Sequence, residues 1–335
     1  MTGWEDVITR VRGLSSRLVG RATLKTLSGS PDLTAMLHGL AGTPYAAVPD
    51  VAAADTAVFE RATRRVAADH LHVIVAWCGT RVALLVPLFE DEDRRNLCAI
   101  TRAIAAGSPL DQRTAGLLPT PSLPLATLDE LARQPRVRDV AAMLTSWGNP
   151  YGSAMTSESL RPTPDLFALQ LAIDRQYFRR ARQAAGDAGK HLQSYVELQV
   201  DAENLRAAFA VVRHSVEREP AELFVEGGTL LSREEYGRLC TDQPSDAHVR
   251  IERLVAGTPL APLAALDRHS DVDGELLAAM ISGLRRTVRM EPLSLAVLLD
   301  YVLRLRAEIH DIARIVWGIT LRTPRSRIEA GLVTP

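Results

Sequence analysis

Cysteine, lysine and aromatic side chains are all scarce in this 335-residue chain of 36.5 kDa. Its three cysteines, Cys78, Cys98 and Cys240, are odd in number and show no C-x-x-C spacing. That excludes a disulfide framework or a thiolate zinc knuckle and fits a reducing compartment. Lysine occurs only at Lys25 and Lys190, so arginine supplies nearly all the positive charge, a compositional bias of the genome. Aromatics make up 5% of the residues, while Ala, Leu and Arg dominate. Helix formers are thus plentiful and strand formers few. The net charge of −1 leaves no basic surplus for a dedicated nucleic-acid binder. Long apolar runs are missing too. The best, Leu71 to Phe89, is interrupted by Gly79, Thr80, Arg81 and Pro87, where a bilayer span wants about 20 mostly apolar residues. Met1 to Leu18 carries acids and no apolar core, so no signal peptide is expected.

What is present is repetition. Gly42-Thr43-Pro44-Tyr45, Gly148-Asn149-Pro150-Tyr151 and Gly257-Thr258-Pro259-Leu260 form one motif, spaced 106 and 109 residues apart. Chemically this is a corner between helices. Glycine ends one helix, Thr or Asn caps the next, and Pro takes its first turn. A second landmark keeps the period: Asp93/Asn96, Asp201/Asn204 and Glu308/Asp311, each acid followed three residues later by an amide or acid. Each pair is followed by a helical apolar stripe.

The ends complete the pattern. Two copies carry roughly 50 residues between the second landmark and the next corner, a span set by the same repeat logic. The third copy stops at Pro335, while residues before Gly42 resemble the missing part. The expected architecture is therefore all-α: three similar lobes in a pseudo-threefold closed funnel, with the termini completing the third. The repeats are expected at 42–147, 148–256, and 257–335 together with 1–41.

Long helices are expected over Phe59–Asp69, Leu166–Ala185, Ala207–Glu217, Gly274–Val288 and Ser294–Gly318. Val73–Trp77 and Val82–Val86 could locally form a β-hairpin. The in-phase segment Leu298–Leu305 is plainly helical, which favours a helix bent at Pro87.

Chemistry is hard to find. Gly227-Gly228-Thr229 lacks the lysine of a nucleotide-binding loop and reads as a turn before a helix. His70 and His72 are two apart and no metal-ligand spacing occurs. The repeated acids are expected to be structural, because catalysis needs one constellation and a helix-terminus hydrogen bond is needed once per repeat. The arginine faces Arg175, Arg179, Arg180, Arg182 and Arg285, Arg286, Arg289 are candidate docking surfaces for an acidic partner or anionic headgroups.

Taken in order, these landmarks resemble the C subunits of the A/V-type ATPases of archaea and bacteria, related to the d subunit of the eukaryotic V-ATPase. The resemblance rests on Asp93/Asn96/Leu97, Asp201/Asn204/Leu205, the stretch Tyr301 to Gly318, Val11 to Leu18, and Gly227 to Leu230. Departures are Asp311 in place of Asn, Leu260 in place of Tyr, and Pro87 within a helical segment. The resemblance implies a central-stalk socket linking the D and F proteins of the shaft to the membrane proteolipid ring. It would transmit torque as one copy per complex, peripheral on the cytoplasmic face. It also implies no catalysis, no cofactor, no nucleotide, no nucleic acid and no metal. The rivals are a free-standing helical scaffold for another protein, and an enzyme whose site would need converging polar groups in a central pocket.

Overall fold

The computed structural model describes residues 3–48, 55–161, 165–214, 219–265 and 271–335. All its regular structure is helical among those residues. In chain order the helices are α1 Glu5–Ser15, α2 Arg21–Leu27, α3 Leu33–Gly39, α4 Thr56–Cys78, α5 Val86–Ala105, α6 Leu110–Ala115, α7 Leu125–Ala132, α8 Val137–Ser146 and α9 Pro150–Ser159. They continue as α10 Leu166–Ala188, α11 Lys190–His214, α12 Pro220–Leu223, α13 Arg233–Thr241, α14 Pro244–Val255, α15 Val272–Met290, α16 Ala296–Thr320 and α17 Arg325–Ala330. Three long hairpins, α4–α5, α10–α11 and α15–α16, dominate, each followed by shorter helices. The end of the helix expected over Ala207–Glu217, from residue 215 on, lies outside the described residues.

Each hairpin opens on an aspartate cap. Asp55, Asp165 and Asp271 accept backbone N–H bonds from Ala57, Phe167 and Gly274 respectively, at 2.7, 3.1 and 3.0 Å. These satisfy donors that a helix start otherwise leaves orphaned. The corners follow one design. Gly42, Gly148 and Gly257 have φ of 83°, 68° and 74°, where a side chain would be strained. Thr43, Asn149 and Thr258 then accept the N–H of Tyr45, Tyr151 and Leu260.

No hairpin forms at Val73–Val86. Helix α4 runs through to Cys78 and a 3-10 segment follows over Gly79–Leu85. The expected bend at Pro87 is corrected: the chain breaks at Gly79, φ 55°, and Pro87 sits in the first turn of α5, where its missing N–H costs nothing. Within 56–105 one 18-residue window, mean hydropathy 1.7, is apolar enough to cross a bilayer by length and composition, and a third of it is buried in the protein.

Three apolar clusters hold the chain. The largest joins α1, α4, α5, α7–α10 and the near halves of α11 and α16. The second packs Leu205 and Phe209 of α11 against Tyr236, Ile251 and Leu260. The third brings Leu24, Leu27, Met36 and Tyr45 from the N-terminal segment onto Ile312, Ile315, Val316 and Ile328. Arg21 donates to the carbonyls of Leu332 and Thr334, and Arg325 to that of Lys25. The two ends of the chain therefore share one core.

Candidate functional site

The landmark acids sit mid-helix in α5, α11 and α16, and this corrects the helix-terminus role expected for them. Their partners are backbone straps more than twenty residues downstream. Asn96 donates to the carbonyl of Leu118 and accepts its N–H, at 2.7 and 2.9 Å. Asn204 does the same with Val225, both bonds at 2.9 Å. Asp311 instead accepts two successive N–H groups, Val333 and Thr334, each at 2.8 Å. That explains the carboxylate at this position: two donors face it, where a donor and an acceptor face the asparagines.

Of the preceding acids, Asp93 and Asp201 hold a second point of the same strap, and Glu308 holds the N-terminal segment. Asp93 accepts the hydroxyls of Thr120 and Ser122. Asp201 accepts the backbone N–H groups of Thr229 and Leu230, so the Gly227–Thr229 turn is its clasp. Glu308 accepts the Tyr45 phenol at 2.6 Å and the backbone N–H of Val19, both from the N-terminal segment. Burial carries Asp93 up to about 7, against the pull of the Ser122 and Thr120 hydroxyls. It lifts Glu308 to about 7 as well, against its bonds from Tyr45 and Val19.

Where α5, α11 and α16 converge there is a cavity of about 430 Å³, adjoined by one of about 500 Å³ that shares Arg102, Gln170, Glu203, Arg206 and Asp273. Counted from the landmark acid of each copy, its lining falls on the same positions. One residue on are Arg94, Ala202 and Ile309; two on, Arg95, Glu203 and His310; five on, Cys98, Arg206 and Ala313. The cavity is thus lined at the same three positions of α5, α11 and α16.

Below it runs a buried charge network that ties the hairpins together. Arg94 pairs with Asp91 on its own helix at 2.9 Å and with Asp174 of α10 at 2.7 Å. It lies over the rings of Tyr177 and Phe178. Arg306 of α16 reaches Asp91 at 2.8 Å and also pairs with Glu92. Glu203 pairs with Arg206 on α11. Burial would raise the Asp91 carboxyl, yet Arg95, Arg306 and Arg94 together hold it well below the usual carboxylate range. At the wall, burial opposes a charged His310, but bonds to Asp271 and Asp311 outweigh it and hold the imidazole up at about 9.

The arginine faces singled out in the sequence lie elsewhere. Arg175, Arg179, Arg182, Arg285, Arg286 and Arg289 are exposed, and none of them lines the cavity. Arg180 is committed to Glu90 through two bonds of 2.7 and 2.6 Å. The arginines that matter to the cavity, Arg94, Arg95, Arg102, Arg206 and Arg306, were not singled out. The run Glu90 to Arg95, six consecutive charges inside a helix, was the available signal. Among the described residues no group of three His, Cys, Asp or Glu could hold a metal ion. All three cysteines are free thiols.

The family model of the ATP synthase (C/AC39) subunit matches residues 7–331. This chain belongs to that family. Among its relatives, the C subunit of the A-type ATP synthase of Haloferax volcanii is 24% identical over 285 residues, covering 82% of this chain and 81% of that one. The C subunit of the V-type ATP synthase of Thermus thermophilus is 28% identical over 248 residues, 72% of each chain. The A-type C subunit of Halobacterium salinarum is 26% identical over 279 residues, 79% and 78% of the two chains. In this member of the C/AC39 family the landmark residues anchor chain segments distant in sequence, and the cavity lies among α5, α11 and α16.

Proposed function

We propose that this chain is the central-stalk socket of a rotary A/V-type ATPase, a non-catalytic subunit that joins the D and F shaft to the proteolipid ring. In this reading the lobes are 42–147, 148–256, and 257–335 with 1–41, closed into a pseudo-threefold funnel. The observation that carries it is the cavity lined at equivalent positions of α5, α11 and α16. A part that passes torque must not shear, and the Asp91–Arg94–Asp174 and Arg306–Asp91 pairs cross between hairpins at its base. Breaking one such buried pair costs about 3–5 kcal/mol.

The ring-facing end is the one carrying the three hairpin turns. Lys190 and His191 bond Glu291, and Arg12 of α1 bonds the carbonyl of Pro292, so these turns adjoin. Arg81 ties the remaining turn to Asp6 of α1. Met290 and Leu293 are 75% and 52% exposed there, an apolar tip suited to a membrane-embedded partner. The Arg285–Arg289 face and Arg182 lie on helices α15 and α10 leading into the same turns, where anionic headgroups would meet them. The protein would thus sit peripherally, bound through partners.

The test is purification of the tagged chain from gently solubilised native membranes, with co-purifying chains identified by mass spectrometry. A proteolipid ring together with shaft and nucleotide-binding subunits is the expected result. Recovery alone, or with unrelated soluble proteins, overturns the reading.

A further inference from the structure

The cavity has a repeated frame but unlike walls. At the three positions that line it in every copy, α5 contributes Arg94, Arg95 and Cys98, whereas α16 contributes Ile309, His310 and Ala313. Arg95 is half exposed, and its carboxylate partner, Asp91 at 3.4 Å, already serves Arg94 and Arg306. Farther along α5, exposed Arg102 has a bond to the Cys98 carbonyl and no carboxylate partner among the described residues. The α5 wall therefore carries positive charge in excess of its partners. The facing wall, from α15 and α16, presents Leu276, Leu277, Met280, Leu303 and Ile309 together with Asp273 and with Arg306 and His310, both of which are already paired to carboxylates.

We infer that the occupant of this cavity is the tip of an α-helical partner, acidic along one side and apolar along the other, seated in one rotational register with its acidic side on α5. This rests on the socket reading above and adds which side of the shaft meets which lobe. A pseudo-threefold frame alone would accept its occupant in three equivalent registers. Unlike charges at equivalent positions remove two of them, because turning the tip by one lobe sets its carboxylates against the already paired Glu203 and Arg206, or against Ile309 and Ala313 beside His310, whose charge Asp271 and Asp311 already meet. The cavity lining extends from Glu92 to Arg102 on α5, about 15 Å of helix rise, and the adjoining cavity continues it from Arg102.

The experiment compares one acidic substitution on each of the three long helices of the full-length chain: Arg102→Glu on α5 and Ala313→Glu on α16 at this cavity, and Ala210→Glu on α11 at the adjoining one. Each variant is titrated against the purified D and F shaft pair at low and moderate salt, with helicity checked by circular dichroism. The expected result is a loss of at least tenfold in affinity for Arg102→Glu, with a wild-type salt dependence that this variant largely abolishes. Ala210→Glu should change affinity less than threefold, and Ala313→Glu should weaken it without altering the salt slope. Equal effects at all three walls, or none at Arg102, with wild type still binding, overturn the single register and leave the socket standing. Failure of the folded wild-type chain to bind the shaft pair overturns both.

Discussion

Exchanging amide and carboxylate between two equivalent strap anchors tests whether hydrogen-bonding character, and not side-chain size, decides these residues. Asn204 meets one carbonyl and one N–H, both on Val225; Asp311 meets two N–H groups, on Val333 and Thr334. Both anchors are 0% exposed, so water cannot take over a lost bond. Asn204→Asp would set a carboxylate oxygen against the Val225 carbonyl, and Asp311→Asn would turn an NH₂ toward an N–H. The changes are isosteric, so no cavity term enters. One mispaired bond with its partner left buried costs about 1–3 kcal/mol, and the charge-assisted bonds of Asp311 add about as much again. Each exchange should therefore remove about 2–5 kcal/mol from a total of order 5–15 kcal/mol. Urea denaturation followed by circular dichroism reads the loss. Amide exchange at Val225 in one variant and at Thr334 in the other should locate it. Asn96→Asp is the internal repeat of the first exchange, since Asn96 grips Leu118 by the same two bonds. If either exchange costs less than about 0.5 kcal/mol, the polarity argument fails.

Four further outcomes are expected. Asp93 keeps its proton in the fold until about pH 7, while an unfolded aspartate loses it near 3.9; the native state then binds the extra proton, and stability falls by up to about 4 kcal/mol as pH rises from 4 to 7. Asp93→Asn, whose amide still suits two hydroxyls, should lose this share of the decline in melting curves and keep the share of Glu308, which is also lifted to about 7; an unchanged slope would refute the assignment. A Cβ at Gly228 would fall on the Asp201 carboxylate, so Gly228→Ala should lower the denaturation midpoint by about 1–3 kcal/mol, whereas an unchanged midpoint would mean the clasp is dispensable. Arg306→Met leaves Asp91 and Glu92 under-compensated and should cost about 3–5 kcal/mol by the same assay, with a loss below about 1 kcal/mol counting against a welded network. Removing residues 1–48 uncovers Ile312, Ile315, Val316 and Ile328, about 1.5–3 kcal/mol apiece; cooperative melting should be lost and a hydrophobic dye should bind, and a truncated chain that melts as before would separate the N-terminal segment from the core.

The repeats were legible because each copy satisfies the same local demand with the same residues. A corner needs a left-handed residue, a cap and a first-turn proline, and these lie within four positions. The acid-amide pairs were legible as structural for the same reason. Their actual role was not, because the partners lie at least 21 residues away in sequence, those of Glu308 in the N-terminal segment, and many are backbone atoms, which carry no side-chain signature. The Pro87 bend was misplaced because proline breaks a helix interior yet suits a first turn, and only Gly79 decided between the two. The cavity network was missed for want of sequence proximity: Arg306 and Asp91 are paired across more than two hundred residues. Exposed arginine runs on α10 and α15 are conspicuous in sequence because they are uninterrupted. The cavity arginines are spaced among acids that partly cancel them.

Which positions repeat and which diverge separates frame from use. The landmark acid and the residue three on face a strap in every lobe, and that demand is identical three times over, so their chemistry is nearly kept. Where it changes, at Asp311, the strap presents a different pair of backbone groups and the side chain follows. Positions one, two and five on from the same acid face the shared cavity, and their chemistry is not kept: arginine stands opposite alanine and isoleucine, and a further arginine opposite glutamate and histidine. Packing does not force that divergence, because equivalent backbone would accept equivalent side chains. A single occupant that is not itself threefold would force it, since each wall then meets a different face. Variation at the cavity positions is thus what a threefold frame would acquire in holding an asymmetric part, and it is the reason to probe the three walls separately.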